Sequence, residues 1–143
     1  SSDLETVAAV DVRIQAEVKA EAAVPLLAQS LKSDPALAAR TIVTSFHAEI
    51  LVAVRELFPE VETGHIFGRT PALAEVITRT QAAGATWSMC GIADLTAPAV
   101  AELHAAGLAV TAWPVPDAAA LAHAETLGVD GITTDNPHLL NVF

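Results

Sequence analysis

Basic residues are scarce in this chain. Seven lysines and arginines stand against seventeen aspartates and glutamates, for a formal charge of -10 and an isoelectric point of about 4.7. No basic cluster exists, so the electrostatic footprint of a nucleic-acid binder is missing. Binding to an anionic membrane surface gains no support for the same reason. An anionic substrate stays open, because a metal ion or one lysine inverts the local field. Cysteine is limited to Cys90, so there is no intrachain disulfide, which suits a reducing compartment. No uninterrupted apolar run reaches the roughly 18 residues of a membrane span, although hydrophobic residues, many of them alanine, make up 52% of the chain. The opening Ser1-Ser2-Asp3-Leu4-Glu5 lacks the basic start and apolar middle of a secretion signal. A cytoplasmic location is expected. Secretion stays open, because a start without methionine reads as downstream of residues not in this sequence. Nothing matches G-x-G-x-x-G or G-x-x-x-x-G-K-[ST], so the nucleotide-binding open sheets gain no support.

What is present is alternation. Short β-branched runs at 12–18, 41–45, 63–67, 86–89, 109–113 and 131–134 read as strands. Alanine-rich segments at 21–32, 48–57, 71–83, 96–106 and 118–127 have helical spacing, and 4–10 reads as a short leading helix. Gly84, Gly107 and Gly128 each follow a helix and precede a strand, as left-handed C-terminal caps do. Asp117 is an N-cap candidate. Pro71 and Pro98 fit first helical turns. Strands alternating with helices predict a parallel sheet in an α/β fold, with 1–143 as a single domain. Six β-α units occupy the chain, whereas a closed eight-stranded barrel takes ~200–250 residues. The architecture is therefore either an open doubly wound sheet or about three quarters of a barrel.

In parallel sheets, chemistry is placed at the carboxyl ends of strands. Glu17 and Lys19 are two residues apart at such an end, and side chains at that spacing face the same way. Read alone, Glu17 is also a solvated glutamate, Lys19 a surface partner of Glu17 or Glu21, and Trp113 a core or pocket-wall residue. Cys90 has no His-Asn constellation around it and reads as a buried small thiol. His47 follows the strand end Ser45-Phe46 and is placed near the pocket mouth. His65 begins a strand, and His104 and His123 fall in helices; all three read as structural or exposed. His138 starts a last helix. Asp130 and Asp135 bracket the last strand, Asp135 as a capping residue.

The ordered set of strand ends resembles the glycerophosphodiester phosphodiesterase family. Its elements are Glu17-Val18-Lys19, Thr44-Ser45-Phe46, Leu103-His104-Ala105-Ala106-Gly107-Leu108, the run from Ala109 through Trp113 to Val115, and the closing Gly128-Val129-Asp130-Gly131-Ile132-Thr133-Thr134-Asp135-Asn136-Pro137. The resemblance covers essentially the whole chain. It implies a TIM-type (β/α)8 barrel, of which this chain supplies about six C-terminal β-α units. It implies metal-dependent hydrolysis of glycerophosphodiesters to glycerol 3-phosphate and an alcohol, in lipid and glycerol metabolism, with Ca2+ or Mg2+ as cofactor. It gives Glu17 as a metal ligand, Lys19 as a phosphate contact, and Phe46 with Trp113 as the wall around the glycerol end.

The departures are equally specific. The family's H-R-G, E-N-T, E-x-D and H-D motifs, with both catalytic histidines and two further metal carboxylates, have no counterpart here. No catalytic residue is therefore assigned in this chain, and the chain alone is expected to be inactive. A missing N-terminal segment, or a second copy, is expected to cover the open barrel edges. The alternatives are a catalytically inactive truncated barrel or assembly module, and an unrelated TIM-barrel enzyme.

Overall fold

Six strands, all parallel, follow one another across a single sheet in chain order. They are β1 (Ile14–Glu17), β2 (Thr41–Ser45), β3 (Glu62–Ile66), β4 (Trp87–Gly91), β5 (Ala109–Trp113) and β6 (Gly131–Ile132). The structure is a computed structural model that describes residues 13–136 and residue 138. Every neighbouring pair is parallel, from Glu17 opposite Thr44 at one edge to Ala112 opposite Ile132 at the other. Helices connect the strands: α1 (Val24–Ser33), α2 (Pro35–Arg40), α3 (Ala48–Leu57), α4 (Leu73–Ala82), α5 (Ala97–Ala105) and α6 (Ala118–Leu127). The sheet curls into a partial barrel. The hydroxyl of Thr133, just past β6, donates to the Gln15 carboxamide oxygen of β1 at 2.9 Å, so the two edges of the sheet come within side-chain reach. β1 and β6 do not pair with each other.

The helix ends follow from local chemistry. Thr96 and Asp117 accept the amides of Ala99 and Ala120 and start α5 and α6. Gly128 closes α6 in the left-handed region at φ 79°, where a side chain is strained. Several boundaries differ from the sequence reading. The helix expected at 21–32 becomes a 3-10 turn (Glu21–Ala23) followed by α1, because Pro25 is tolerated only in a first helical turn. The same chemistry creates α2, which has no counterpart among the helices that periodicity predicts. There Asp34 accepts the Leu37 amide at 3.1 Å ahead of Pro35. Pro71 lies outside α4, since the Thr70 hydroxyl holds the Gly91 amide at 3.3 Å and ties 70–72 to the end of β4. β4 runs two residues further than expected and β3 begins one residue earlier. β1 and β6 are shorter than expected. The expected helix at 4–10, residue 12 of the first strand and the remainder of a helix from His138 lie outside the described residues.

Strand alternation divides the sheet into two faces. One carries Val43, Phe67, Cys90, Val110 and Ala112 against the helices. Val24, Leu31, Ile50 and Val54 pack there at one end, and Val76, Val100, Leu103, Ala124 and Leu127 at the other. The other face lines the barrel interior. Gly64 lies on it, and a methyl group added there would come within 2.8 Å of the Met89 side chain, so its bareness makes room for that methionine. At the foot of the interior, Arg13 pairs with Glu62 and lies 5.8 Å from the centre of the Trp87 ring.

His65 corrects the sequence reading in part. It is the fourth residue of β3 rather than the first, and it is 1% exposed on the helix face. Its ring stacks on Phe67 at 4.4 Å, and Nδ1 lies 3.1 Å from the Ile66 carbonyl oxygen, so Nδ1 carries the proton. Burial first of all holds its pKa below the ordinary 6.5, and the Arg79 guanidinium adds to this. A depressed histidine pKa means that the unfolded chain takes up the proton first as pH falls, so stability is lost below about 6.5. Denaturation midpoints measured between about pH 7 and pH 5 should fall with pH in the wild type and fall less in His65→Gln. An equal slope in both would remove His65 as the source.

Candidate active-site wall

At the carboxyl rim the interior face opens into a cavity of about 190 Å³. Its apolar wall is Phe46, Ile66, Met89 and Trp113, and its polar groups are Gln15, Glu17, Thr44 and Thr133. The positions obey the two-residue period: Gln15 with Glu17 on β1, and Thr44 with Phe46 at the end of β2. Glu17, Phe46 and Trp113, read from three separate segments of sequence, therefore share one pocket. Lys19 does not line it. The backbone leaves the ladder after Val18, whose amide still reaches the Thr44 carbonyl at 2.8 Å, and Lys19 is exposed beyond it. Gln15, Thr44, Ile66, Met89 and Thr133 were not singled out from sequence. Counting back two residues from Glu17 and Phe46 would have found Gln15 and Thr44.

The rim is held by a few hydrogen bonds. The Ser45 hydroxyl, fully buried, donates to the Val18 carbonyl at 2.8 Å and accepts from the His47 amide at 3.1 Å. It thereby joins the loop after Glu17 to the turn that carries Phe46. The Met89 carbonyl accepts the Trp113 indole N–H at 3.1 Å and the Phe67 amide at 3.0 Å. The indole is thus fixed, and its one donor is spent. Phe46 meets it edge to face, with ring centres 6.3 Å apart and planes at 88°, an arrangement aromatic pairs prefer. The Trp113–Pro114 peptide bond is cis.

Other titratable groups stand apart from this pocket. Burial, and then the Asp94 carboxylate, pushes the Cys90 thiol up to about 12, so it stays protonated and inert at neutral pH. His47 precedes α3, exposed, with Nδ1 3.9 Å from Glu49. His104 lies on α5, and its Nε2 is 2.7 Å from Asp130 Oδ2, which also accepts the Val110 amide at 2.8 Å. Asp130 therefore ties α5 to the start of β5 at the opposite rim. Among the described residues no group of three or more His, Cys, Asp and Glu side chains is placed to hold a metal ion. Glu17 is the one carboxylate lining the pocket, whereas calcium takes about six to eight oxygens. The described residues alone do not fit a resident calcium or magnesium ion. No helix among them is long and apolar enough to cross a membrane.

Residues 5–139 match the model of the glycerophosphoryl diester phosphodiesterase family. Solved structures share the fold. A protein from Silicibacter pomeroyi DSS-3 is 22% identical, with a TM-score of 0.80 over 99% of this chain and 55% of its own. A glycerophosphodiester phosphodiesterase from Parabacteroides distasonis ATCC 8503 is 23% identical, with a TM-score of 0.77 over 97% of this chain and 60% of its own. A phosphodiesterase from Oleispira antarctica, in complex with the product sn-glycerol-3-phosphate, is 18% identical, with a TM-score of 0.75 over 97% of this chain and 57% of its own. The chain thus spans between 55% and 60% of these relatives. No curated protein matches the sequence.

The rim bonds generate a direct test. Ser45→Ala leaves the Val18 carbonyl and the His47 amide without their partner, at a cost of about 1–3 kcal/mol. Urea denaturation measures it. An unchanged midpoint would show that Ser45 does not hold the rim.

Proposed function

The chain belongs to the glycerophosphoryl diester phosphodiesterase family, and from that premise we propose that it supplies the binding wall of an enzyme that hydrolyses glycerophosphodiesters to glycerol 3-phosphate and an alcohol. The observation that carries this reading is the convergence of Glu17, Phe46 and Trp113, at or just past the ends of three strands, on one pocket at the carboxyl rim. The relative from Oleispira antarctica, which holds sn-glycerol-3-phosphate, supports the same substrate class. Phe46 and Trp113 flank the glycerol end. Lys19, from the rim, neutralises a phosphoryl oxygen as a point charge. Glu17 is one ligand of a divalent cation, Ca2+ or Mg2+. The remaining oxygen ligands and a general acid–base pair come from outside the described residues. The setting is lipid and glycerol metabolism, in the cytoplasm.

Among the described residues, the pocket lining holds one titratable side chain and no histidine. That favours, as a second reading, a catalytically inactive partial barrel or assembly module. Choline release from glycerophosphocholine, with Ca2+ or Mg2+ present, separates the possibilities. A general acid–base pair contributes roughly 10²–10⁴-fold, so the 143-residue chain should fall at least that far below a full-length family member. Rapid metal-dependent release by the pure chain would place the acid and base within it and point to His47. Calorimetry of the catalytically competent protein should find Ca2+ or Mg2+ bound more weakly after Glu17→Gln. Equal affinity would remove Glu17 as a ligand.

We also propose that the free edges of β1 and β6 are covered, by a further segment of the protein or by a second copy, because unpaired strand edges invite pairing. Light scattering on the pure chain tests this. A soluble monomer of 14.8 kDa with both edges bare would refute it.

A further inference from the structure

We propose that Arg69 selects among glycerophosphodiesters by the charge of the alcohol, favouring an alcohol that carries a carboxylate. The inference rests on the pocket being the binding wall proposed above. It adds a residue from the loop after β3, to which the resemblance gives no role.

The basic residues of this chain are few enough to be placed one by one. Arg13 is at the foot of the interior, paired with Glu62. Lys32, Arg40, Arg55 and Arg79 stand in the last turns of α1, α2, α3 and α4, where a cation complements the negative end of the helix dipole. Lys19 and Arg69 remain. Both are exposed, in loops that follow strands, and therefore at the carboxyl rim. Lys19 is close in the chain to Glu17, and so to the cation and the phosphoryl group. Arg69 is separated from it by the whole of β2, about two strand spacings or ~10 Å of sheet, with Phe46 between them.

The loop that carries Arg69 is held on both sides of it. The Phe67 amide still reaches the Met89 carbonyl at 3.0 Å. Gly68 then crosses the Phe46 ring so closely that a methyl group added to it would lie 3.5 Å from a ring carbon. The Thr70 hydroxyl accepts the Gly91 amide at 3.3 Å. The backbone thus fixes Arg69 beside a ring that lines the pocket and is 40% exposed. The guanidinium is not spent within the fold. Asp94 stands by the same tie, with Oδ2 3.4 Å from where a methyl group on Gly91 would lie, yet among the described residues no carboxylate pairs with Arg69.

The chemistry of the rim sets the partner. With the glycerol end between Phe46 and Trp113, the alcohol on the other side of the phosphorus leaves across the mouth, over the exposed part of Phe46. A guanidinium fork matches a planar carboxylate with two parallel N–H···O bonds. A second phosphate would bring about two negative charges at neutral pH to a rim with one cation beyond Lys19 and with Glu17 and Asp94 nearby. One carboxylate is matched by one arginine. A cationic alcohol gains nothing from it.

Glycerophosphoserine and glycerophosphoethanolamine differ by a single carboxylate and test this in the catalytically competent protein. The ratio of their kcat/KM values should fall by about fivefold in Arg69→Gln, the worth of a partly exposed ion pair, with the loss falling on the serine ester. Arg69→Lys keeps the charge without the fork and should retain part of the ratio. The wild-type ratio should shrink in ~1 M salt. Circular dichroism shows that the variants are folded, and Arg69→Lys decides the matter if Arg69→Gln is not. A ratio unchanged by either substitution overturns the proposal and leaves the binding wall standing. So does an equal loss for both esters, which would assign Arg69 to the phosphoryl group they share. If the wild type hydrolyses neither ester, the binding wall falls and the role of Arg69 with it.

Discussion

A strand presents its side chains alternately to two faces, and in a parallel sheet all carboxyl ends lie on one rim. These two geometric facts govern every functional position in the molecule. Val43, Cys90, Val110 and Ala112 are turned toward the helices and buried. Their neighbours one residue away are turned inward. Glu17, Phe46 and Trp113 are far apart in sequence, yet they meet because Glu17 and Trp113 end strands, and Phe46 directly follows one, on the inward parity. A slip of one residue in any strand would exchange its core residues with its pocket residues. The packing that stabilises the sheet therefore also fixes which side chains can meet a ligand.

Alternation sets direction but not position within a fraction of an ångström. That is done by the bonds where strands give way to loops. Ser45 joins the loops after β1 and β2. The Met89 carbonyl holds the Trp113 indole, and Thr70 holds the end of β4. Each is a neutral hydrogen bond, and the first two are shielded from water to a large degree. They lose nothing to screening by salt, unlike the exposed ion pairs of the helix surfaces, such as Glu75 with Arg79, which contribute little. The rim is organised by short polar side chains and backbone carbonyls, which suits a chain so poor in cations.

The six strands were legible because β-branched runs are bounded by strong punctuation: Gly84, Gly107, Gly128 and Asp117 all act as the sequence suggests. Glu17, Phe46 and Trp113 were legible because they end runs. What was not legible has a common cause. Gln15 and Thr44 sit inside strands, where a polar residue reads as an ordinary break in an apolar run, and only their contact across the curled sheet with Thr133, or with the cavity, gives them meaning. That contact joins residues 118 positions apart, and local spacing carries no trace of it. The reach of Lys19 was over-read for the converse reason. The period of two holds only while the backbone stays in the ladder, and it leaves the ladder after Val18. α2 was missed because six residues are too few to show a helical period, although Asp34-Pro35 announces its start.

The curl of the sheet links these points. Gln15 lies on β1 and Thr133 just past β6, the two strands that among the described residues have one neighbour each. Their hydrogen bond spans the place where the barrel wall is open, and it does so inside the pocket rather than at the outer edge. Arg13 similarly bridges from the start of β1 to Glu62 and Trp87 at the foot of the interior. The first strand is thus drawn inward at its foot and at its middle by side chains, where a closed barrel would hold it by backbone pairing. The carboxamide that ties the two edges together also lines the pocket. The contact between the sheet edges and the polar side of the pocket thus share one residue, Gln15.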